Sequence, residues 1–439
     1  MSSPGLDTVT TPTTRATGTA MGVPAFRRLW VAGLISDAGD WLMLIALPLV
    51  VLHLTGSAIG TSLAFLLGLL PPVLLAPVVA RTVDRLPHRR VMAVATLAQA
   101  VSLVPLLAVH EQADLPLVYG VIVAQSALAA FVEPAKSALL PTLVGPDRVT
   151  SANALTGLNN DLGRIIGGPL GGVLLAIGGL GVVTLVDLGT YLVAAALVLS
   201  LPRERADHRR RPRRRRSGPA RAQRGPRPGG IVGAFRDPAT RDVMVVETAA
   251  SVAQGLFVVL FVFFVTDVIG GTDADVGLLR GVQAIGAIAA GTVLGVLGAR
   301  LNALRLTITG VIAFAVMTAV AWNLSFLTHA VPLYAVLFAA IGAPAVLMSA
   351  GSTTLLQQRA DVSRRGSAFA ALGLGQAAGQ AIGLLVAGLL QETVGTVPLL
   401  EVQAGAYAVA AILAVLLLPR SVRGRRRAGH GMVAQVTRE

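Results

Sequence analysis

Along this chain the polar residues act as breaks between long apolar runs. From residue 29 onward, twelve segments fit the roughly 20 mostly apolar residues that a helix needs to cross a bilayer core. They lie at 29–53, 57–80, 90–109, 115–138, 152–177, 181–201, 242–267, 274–298, 304–322, 331–355, 367–390 and 397–419. Breaks as short as Thr55-Gly56 and Gly178-Gly179 separate some of them. Glycine and proline inside the runs are tolerated in lipid, where neighbouring helices satisfy the freed backbone groups. The pattern predicts an all-α integral membrane protein. Residues 1–25, rich in Thr, Ser and Pro and without an apolar run, are expected to be a disordered tail with no cleavable signal peptide.

A repeat lies over this pattern. At an offset of 216 residues, Ser151-Ala152 matches Ser367-Ala368 and Gly157-Leu158 matches Gly373-Leu374. Gly163, Ile166, Gly167, Gly172 and Gly179 match Gly379, Ile382, Gly383, Gly388 and Gly395. Segments 5 and 11 are therefore the same element in two halves of six spans, at 26–201 and 241–419, joined by a linker at 202–240. Six spans return the chain to its starting side, so the halves are parallel repeats, an arrangement that places a central site near the bilayer midplane.

Composition agrees. Of the 439 residues, 54% are hydrophobic and 13% charged, against about 25% charged in a soluble domain. The net charge of +14 is explained by where the bases sit. With both termini cytoplasmic, 34 of the 36 Lys and Arg fall in inner loops or at inner helix ends, as the positive-inside rule expects. The linker alone carries 13 Arg against three acids, and the 420–439 tail is also basic. Attraction to lipid headgroups suits these runs. Nucleic-acid binding does not, since Phe235 is the linker's one aromatic. A short surface helix is expected around Ile231–Phe235. The predicted outer loops hold Glu111, Asp114, Asp267, Asp273, Asp275 and Glu392, all acidic.

The remaining two bases, Arg164 and Arg280, lie within spans, and charges there need a partner, a watery cavity or a function. Arg164 belongs to Asp161-Leu-Gly-Arg-Ile-Ile-Gly-Gly-Pro-Leu-Gly-Gly172. Asp161 and Arg164 share a helix face, which suits a stiffening salt bridge or, alternatively, a link from Arg164 to Asp37 or Asp40. Gly163, Gly167 and Gly171, with Gly168 and Gly172 around Pro169, offer a face on which another helix can approach closely. Asp37 and Asp40 have no base near them in sequence and lie roughly 12 and 16 Å from the inner end of span 1. They suit proton binding, or attraction of a cation, with Asp40 favoured. Glu133 beside Lys136 reads as a structural pair and Arg280 as an outer-face partner of Asp273 and Asp275. Asp187 and Glu401, near segment ends, are open to solvation.

Several strings together resemble the major facilitator superfamily, particularly its twelve-span bacterial drug and siderophore exporters, over residues 24–420. They are Phe26-Arg-Arg-Leu-Trp30, Ser36-Asp-Ala-Gly-Asp-Trp41 and Phe131-Val-Glu-Pro-Ala-Lys-Ser-Ala-Leu-Leu-Pro141. The superfamily's loop 2–3 signature is matched by Asp84, Arg85, Arg89 and Arg90, with Ala80 and Pro87 replacing its glycines. This resemblance implies a cytoplasmic latch; the corresponding second-half loop, Gly298 to Arg305, has no acid. Gly167-Gly-Pro-Leu-Gly-Gly172 resembles the antiporter signature with a shorter spacing after proline, and no base occupies 119–130 where many drug exporters carry an arginine. In the superfamily arrangement spans 1, 4, 7 and 10 line the cavity, which implies that Glu247 faces it.

The expected function is secondary active transport by alternating access: proton-coupled efflux of small apolar or cationic compounds, such as drugs or a secreted metabolite, by a monomer in the bacterial cytoplasmic membrane. An uptake symporter or facilitator, and a non-transporting sensor or scaffold, are the alternatives. No cofactor is expected. The chain has no cysteine and no P-loop, its single lysine being Lys136. Neither a nucleophile–base pair nor metal-ligand spacing is visible, so an enzyme is not expected.

Overall fold

The computed structural model describes residues 19–202, 233, 235–297, 301–361 and 364–436. The basic linker, most of the N-terminal tail, the Ile231–Phe235 helix and part of the Gly298–Arg305 loop fall largely outside these residues. Helices run at α1 (Pro24–Thr55), α2 (Ala58–Arg85), α3 (His88–Leu103, prolonged by a tight turn to Ala108) and α4 (Leu115–Val144). A helical run at Val149–Leu199 is broken by Gly179, whose φ of 65° and ψ of −171° lie outside the helical region. We label its arms α5 (149–178) and α6 (180–199). The second half holds α7 (Pro238–Phe263), α8 (Asp273–Leu297), α9 (Ala303–Asn323), α10 (Val331–Arg359), α11 (Arg365–Val394) and α12 (Thr396–Val436). Among the described residues, eleven continuous runs are long and apolar enough to cross a membrane, and the break at Gly179 turns one of them into two passes, giving twelve.

Three boundaries differ from expectation for local reasons. Residues 19–25 are packed: Ala20 is fully buried, its N–H lies 3.4 Å from Ser151 Oγ, and it clusters with Phe26, Leu140 and Ala152. Their apolar side chains are too few to register as a span but enough to fill a gap between α1, α4 and α5. Span 4 continues past 138 to Val144. The end of span 7 widens into a single π turn at Phe264–Val268.

Helices alternate in direction, which creates a basic face, carrying Arg27, Arg28, Arg85, Arg89 and Arg90, and an acidic face, carrying Glu111, Asp114, Asp273, Asp275 and Glu392. Lipid supplies no hydrophobic drive between helices, so close backbone packing at small residues has to hold them together. The glycines of α5 serve two neighbours. Gly163, Gly167 and Gly171 seat α1: a Cβ at Gly163 would lie 2.8 Å from the Asp37 carbonyl carbon, and one at Gly171 would lie 2.7 Å from the Leu42 carbonyl oxygen. Gly168 and Gly172 turn to α8, where Gly168 meets the Gly277 carbonyl. The second half repeats both contacts. Gly379 and Gly383 seat α7 at Thr248 and Val252, and Gly388 meets Ser62 of α2. The repeat in sequence is thus a repeat of contacts, with α1–α5 matching α7–α11 and α5–α8 matching α2–α11.

The hydrophobic cores show where the halves meet. One cluster joins both, running from Leu42–Val51 of α1 through Phe257–Val265 to Leu399 and Leu400, and it lies toward the acidic face. Toward the basic face each half keeps its own core. Leu29, Val83, Val91 and Leu139 belong to the first; Val243, Leu356 and Leu372 belong to the second. Polar contacts close the acidic face as well: Ser57 Oγ donates to Glu392 Oε1 at 3.1 Å, and His53 Nε2 lies 3.3 Å from Asp273 Oδ1. The bundle is sealed at the acidic face and parted at the basic one.

This geometry predicts that a Ser57→Cys, Glu392→Cys double variant cross-links on mild oxidation, in a chain with no other cysteine. With a protease site inserted between 202 and 240, the two halves should migrate as one band after cutting and separate once reduced. Two separate bands without reduction would mean that the halves do not close at this face.

Candidate functional site

The polar residues inside the bundle line two adjoining lobes, which share Trp41 of α1. The first, of about 460 Å³, lies between α1, α2 and α4 with a largely apolar wall of Leu44, Leu47, Phe65, Leu69 and Ile122. Its polar edge is Asp40, Gln99, Gln125, Asn160, Tyr191 and Gln380. The Tyr191 hydroxyl donates to Asp40 Oδ1 at 2.5 Å, lies 3.1 Å from Gln125 Oε1 and accepts from Gln99 Nε2 at 3.2 Å. Gln125 Nε2 donates in turn to the Gln99 carbonyl at 3.0 Å. Asp40 is open to the cavity, whereas Tyr191 and Gln99 are each 2% exposed. The carboxylate is accessible and its positioning groups are locked, the arrangement that fixes a functional side chain in one geometry.

Toward the basic face, smaller cavities of about 180 and 390 Å³ both reach Asp37, Glu133 and Lys136. Lys136 Nζ pairs with Glu133 at 2.5 Å, as the local sequence suggests, but the lysine is buried and faces the same spaces as Asp37. Asp37, lacking a base in sequence, therefore has one in space.

The second lobe, of about 430 Å³, is built by α5, α7, α8, α9 and α10. Arg164 pairs with Asp161 at 3.1 Å and stands 5.6 Å from the Trp41 ring. Of the two roles open to it, the intrahelical pair is the one formed, and it points into this lobe rather than toward Asp37 or Asp40. Arg280 reverses an expectation. It turns inward over the rings of Phe257 and Phe261, at 4.8 and 5.8 Å, while Asp273 goes to His53 and Asp275 accepts from Thr272 N–H at 2.8 Å. The helix rotation that puts Gly277 and Gly281 on α5 leaves Arg280 facing inward.

Two other acids also depart from expectation. Glu247 lines neither lobe; it is 4% exposed and accepts from Gln376 Nε2 of α11 at 3.1 Å, because the close α7–α11 seam encloses it. Asp187 is fully buried rather than solvated: Thr190 Oγ1 donates to its Oδ1 at 2.9 Å, and Gly39 leaves room for the carboxylate against α1. Its distance from the helix end is the same in sequence and structure, but α6 sits inside the half, flanked by α1 and α3, so depth in the chain became depth in the protein.

The latch residues are at the basic face. Asp84 is exposed and has no ion pair among the described residues. Arg89 is occupied: its Nε donates to the Val198 carbonyl at 3.3 Å and its Nη2 to that of Leu199, while Arg28 donates to that of Ser200 at 3.0 Å. These arginines cap the carbonyl end of α6, where cations are favoured. Arg85 and Arg90 are exposed.

Gln99, Gln125 and Tyr191 escape a reading built on net charge and motifs, although each is an isolated polar residue in an apolar run. The repeat also gains meaning. Arg164 of α5 and its counterpart Gln380 of α11 both point into the cavity, but into different lobes. One lobe is left with an acid, the other with two bases and one acid.

The model of the family described as Major Facilitator Superfamily matches residues 29–266 and 243–434. The chain is 32% identical over 158 residues to the multidrug efflux pump Tap of Mycolicibacterium fortuitum, covering 34% of this chain and 38% of that protein. It is 28% identical over 171 residues to the MFS-type transporter YfiS of Bacillus subtilis, covering 39% and 40%. The chain spans about two fifths of the length of these curated relatives. A bacterial homologue of the iron transporter ferroportin, solved in an inward-facing state, superposes with a TM-score of 0.69 at 16% identity, covering 89% of this chain and 98% of that one; at that identity the likeness is one of fold. Twelve passes in two repeated halves around a central cavity, with the family match along nearly the whole bundle, identify the chain as a multi-pass membrane protein belonging to the Major Facilitator Superfamily.

Proposed function

We propose that this protein is a proton-coupled exporter of small, largely apolar compounds, working by alternating access in the bacterial cytoplasmic membrane with both termini inside. The observation that carries the reading is the position of Asp40: an ionisable group on the wall of a largely apolar cavity, held by Tyr191 at 2.5 Å. Such groups in membrane proteins mark ion or proton pathways. The positive-inside rule makes the basic face cytoplasmic, so the parted side is the one from which an exporter loads. The partial similarity to a multidrug efflux pump supports the outward direction.

In the proposed cycle, substrate enters from the cytoplasmic side and displaces the proton from Asp40. The halves rock about the glycine seams, and protonation from outside resets the carrier. Asp84 is free in the inward-open state and becomes the latch when the cytoplasmic ends approach; Arg85 and Arg90 are its nearby bases, and Arg89 stays with α6. Gly168, Gly172 and Gly277 allow the α5–α8 seam to pivot, because backbone on backbone leaves no interdigitated side chains to unlock.

Inside-out vesicles from cells producing the protein should accumulate lipophilic dyes when given an inward-acid gradient, and lose them when a protonophore collapses it. Accumulation unaffected by the protonophore would remove proton coupling. Dye uptake by right-side-out vesicles alone would favour an importer.

A further inference from the structure

We propose that the lobe between α5, α8 and α10 recognises an organic anion: an amphipathic compound whose carboxylate sits between Arg164 and Arg280 and whose apolar body rests on the aromatic wall. The inference rests on the transporter reading for its consequence, and on the lobe alone for its chemistry.

Two guanidinium groups and one carboxylate face this 430 Å³ space. The carboxylate, Asp161, is already held by Arg164 at 3.1 Å. Arg280 has no acid within ion-pair distance among the described residues; of the two acids on its own helix, Asp273 is engaged by His53 and Asp275 by Thr272. Charge within a membrane-spanning bundle is costly unless something balances it. The rings of Phe257 and Phe261 contribute cation–π attraction to Arg280. Among the described residues no hydrogen bond occupies the Arg280 N–H groups, and a guanidinium's N–H groups form the planar fork that binds a carboxylate through two parallel bonds. Arg164 also keeps a buried Nε without a partner.

The rest of the wall suits the body of such a ligand. Trp41, Phe257, Trp322 and Phe338 supply aromatic surface, and Gln254 and Gln283 supply neutral polar groups. The volume lies in the range of pockets that enclose a drug-sized molecule. A cation would meet two like charges here, which is a specificity element acting by repulsion.

The test uses the purified full chain in lipid nanodiscs and three matched probes: 2-naphthoate, 2-naphthamide and 2-naphthylmethylammonium. Binding is followed by quenching of tryptophan emission, because Trp41 and Trp322 line the lobe. The expected result is naphthoate binding at least about tenfold tighter than the amide, as a charge-assisted bidentate pair gives, with the ammonium weakest. Arg280→Gln should reduce the preference to under about threefold, and Arg280→Lys should retain part of it. The ranking of probes on the unaltered protein stands even if a variant fails to fold. Equal affinities, tighter ammonium binding, no binding of any probe, or an undiminished preference in folded Arg280→Gln would each overturn the proposal. Dye extrusion without carboxylate preference would keep the efflux reading and remove this one; carboxylate preference without proton-driven transport would do the reverse.

Discussion

A Gly167→Val variant is expected to yield almost no folded protein, while Gly157→Ala, ten residues earlier on the same helix, behaves as the parent. Any Cβ at Gly167 falls against the Ala38 carbonyl oxygen and within 3.0 Å of the Leu42 backbone nitrogen. Neither backbone atom can move without shifting all of α1. Overpacking a well-filled interior costs about 1–3 kcal/mol even where side chains yield, and here the obstacle is backbone. At Gly157 nothing lies within 4 Å of the added methyl, and alanine's better helix propensity, up to about 1 kcal/mol, is available. The repeat supplies an internal control: Gly383→Val should fail as Gly167→Val does, and Gly373→Ala should be harmless like Gly157→Ala. Fluorescence-detected size-exclusion of a tagged protein, heated in steps, measures this directly. A monodisperse Gly167→Val peak melting within a few degrees of the parent would refute the proposed α1–α5 seam.

Asp40→Asn should lower proton-driven transport to about a tenth or less of the parent rate, as expected where one intramembrane acid carries the coupling ion, while the protein remains folded. Asparagine keeps the size and can still accept from Tyr191, so the lobe is preserved. Tyr191→Phe is expected to fall between them, because it removes the one hydroxyl joining Asp40, Gln99 and Gln125. The carboxylate that takes the proton is retained and only its positioning is lost, so the reduction is smaller than for Asp40→Asn. Vesicle transport against an imposed pH gradient, with size-exclusion to confirm folding, reads both. Full gradient-driven transport by Asp40→Asn would move the proton site elsewhere, with Asp37 beside Lys136 next to be examined.

The number of passes, their alternation and the two halves follow from the sequence because each obeys a one-dimensional rule. A run of about 20 apolar residues must become a membrane helix, since lipid leaves the backbone no other partner. Lysine and arginine mark one side. The glycines at 163, 167, 171 and at 379, 383 recur at the same offset because each half solves the same packing problem with the same backbone. A local pair is legible for the same reason: Asp161 and Arg164 are neighbours on any helix.

Helix rotation about its axis is not fixed by such rules. It is set by which neighbour a helix meets, and in this chain it decided the site. Arg280 looks like a partner for the nearby acids of the 273–275 turn until Gly277 and Gly281 are seen to face α5 and turn it inward. Glu247 occupies a span that should border the cavity, yet the α7–α11 seam buries it. Asp187, close to a segment end, is sealed because α6 is enclosed by its own half. Asp40 is joined to Tyr191 across 151 residues of chain, a distance over which no local pattern carries information. The sequence by itself determined a two-fold repeated bundle of twelve helices, because burial in lipid and backbone contact repeat with a period. Only the tertiary structure decided that one lobe carries a lone acid and the other two arginines with one acid, because that division depends on how each helix is turned against its neighbours.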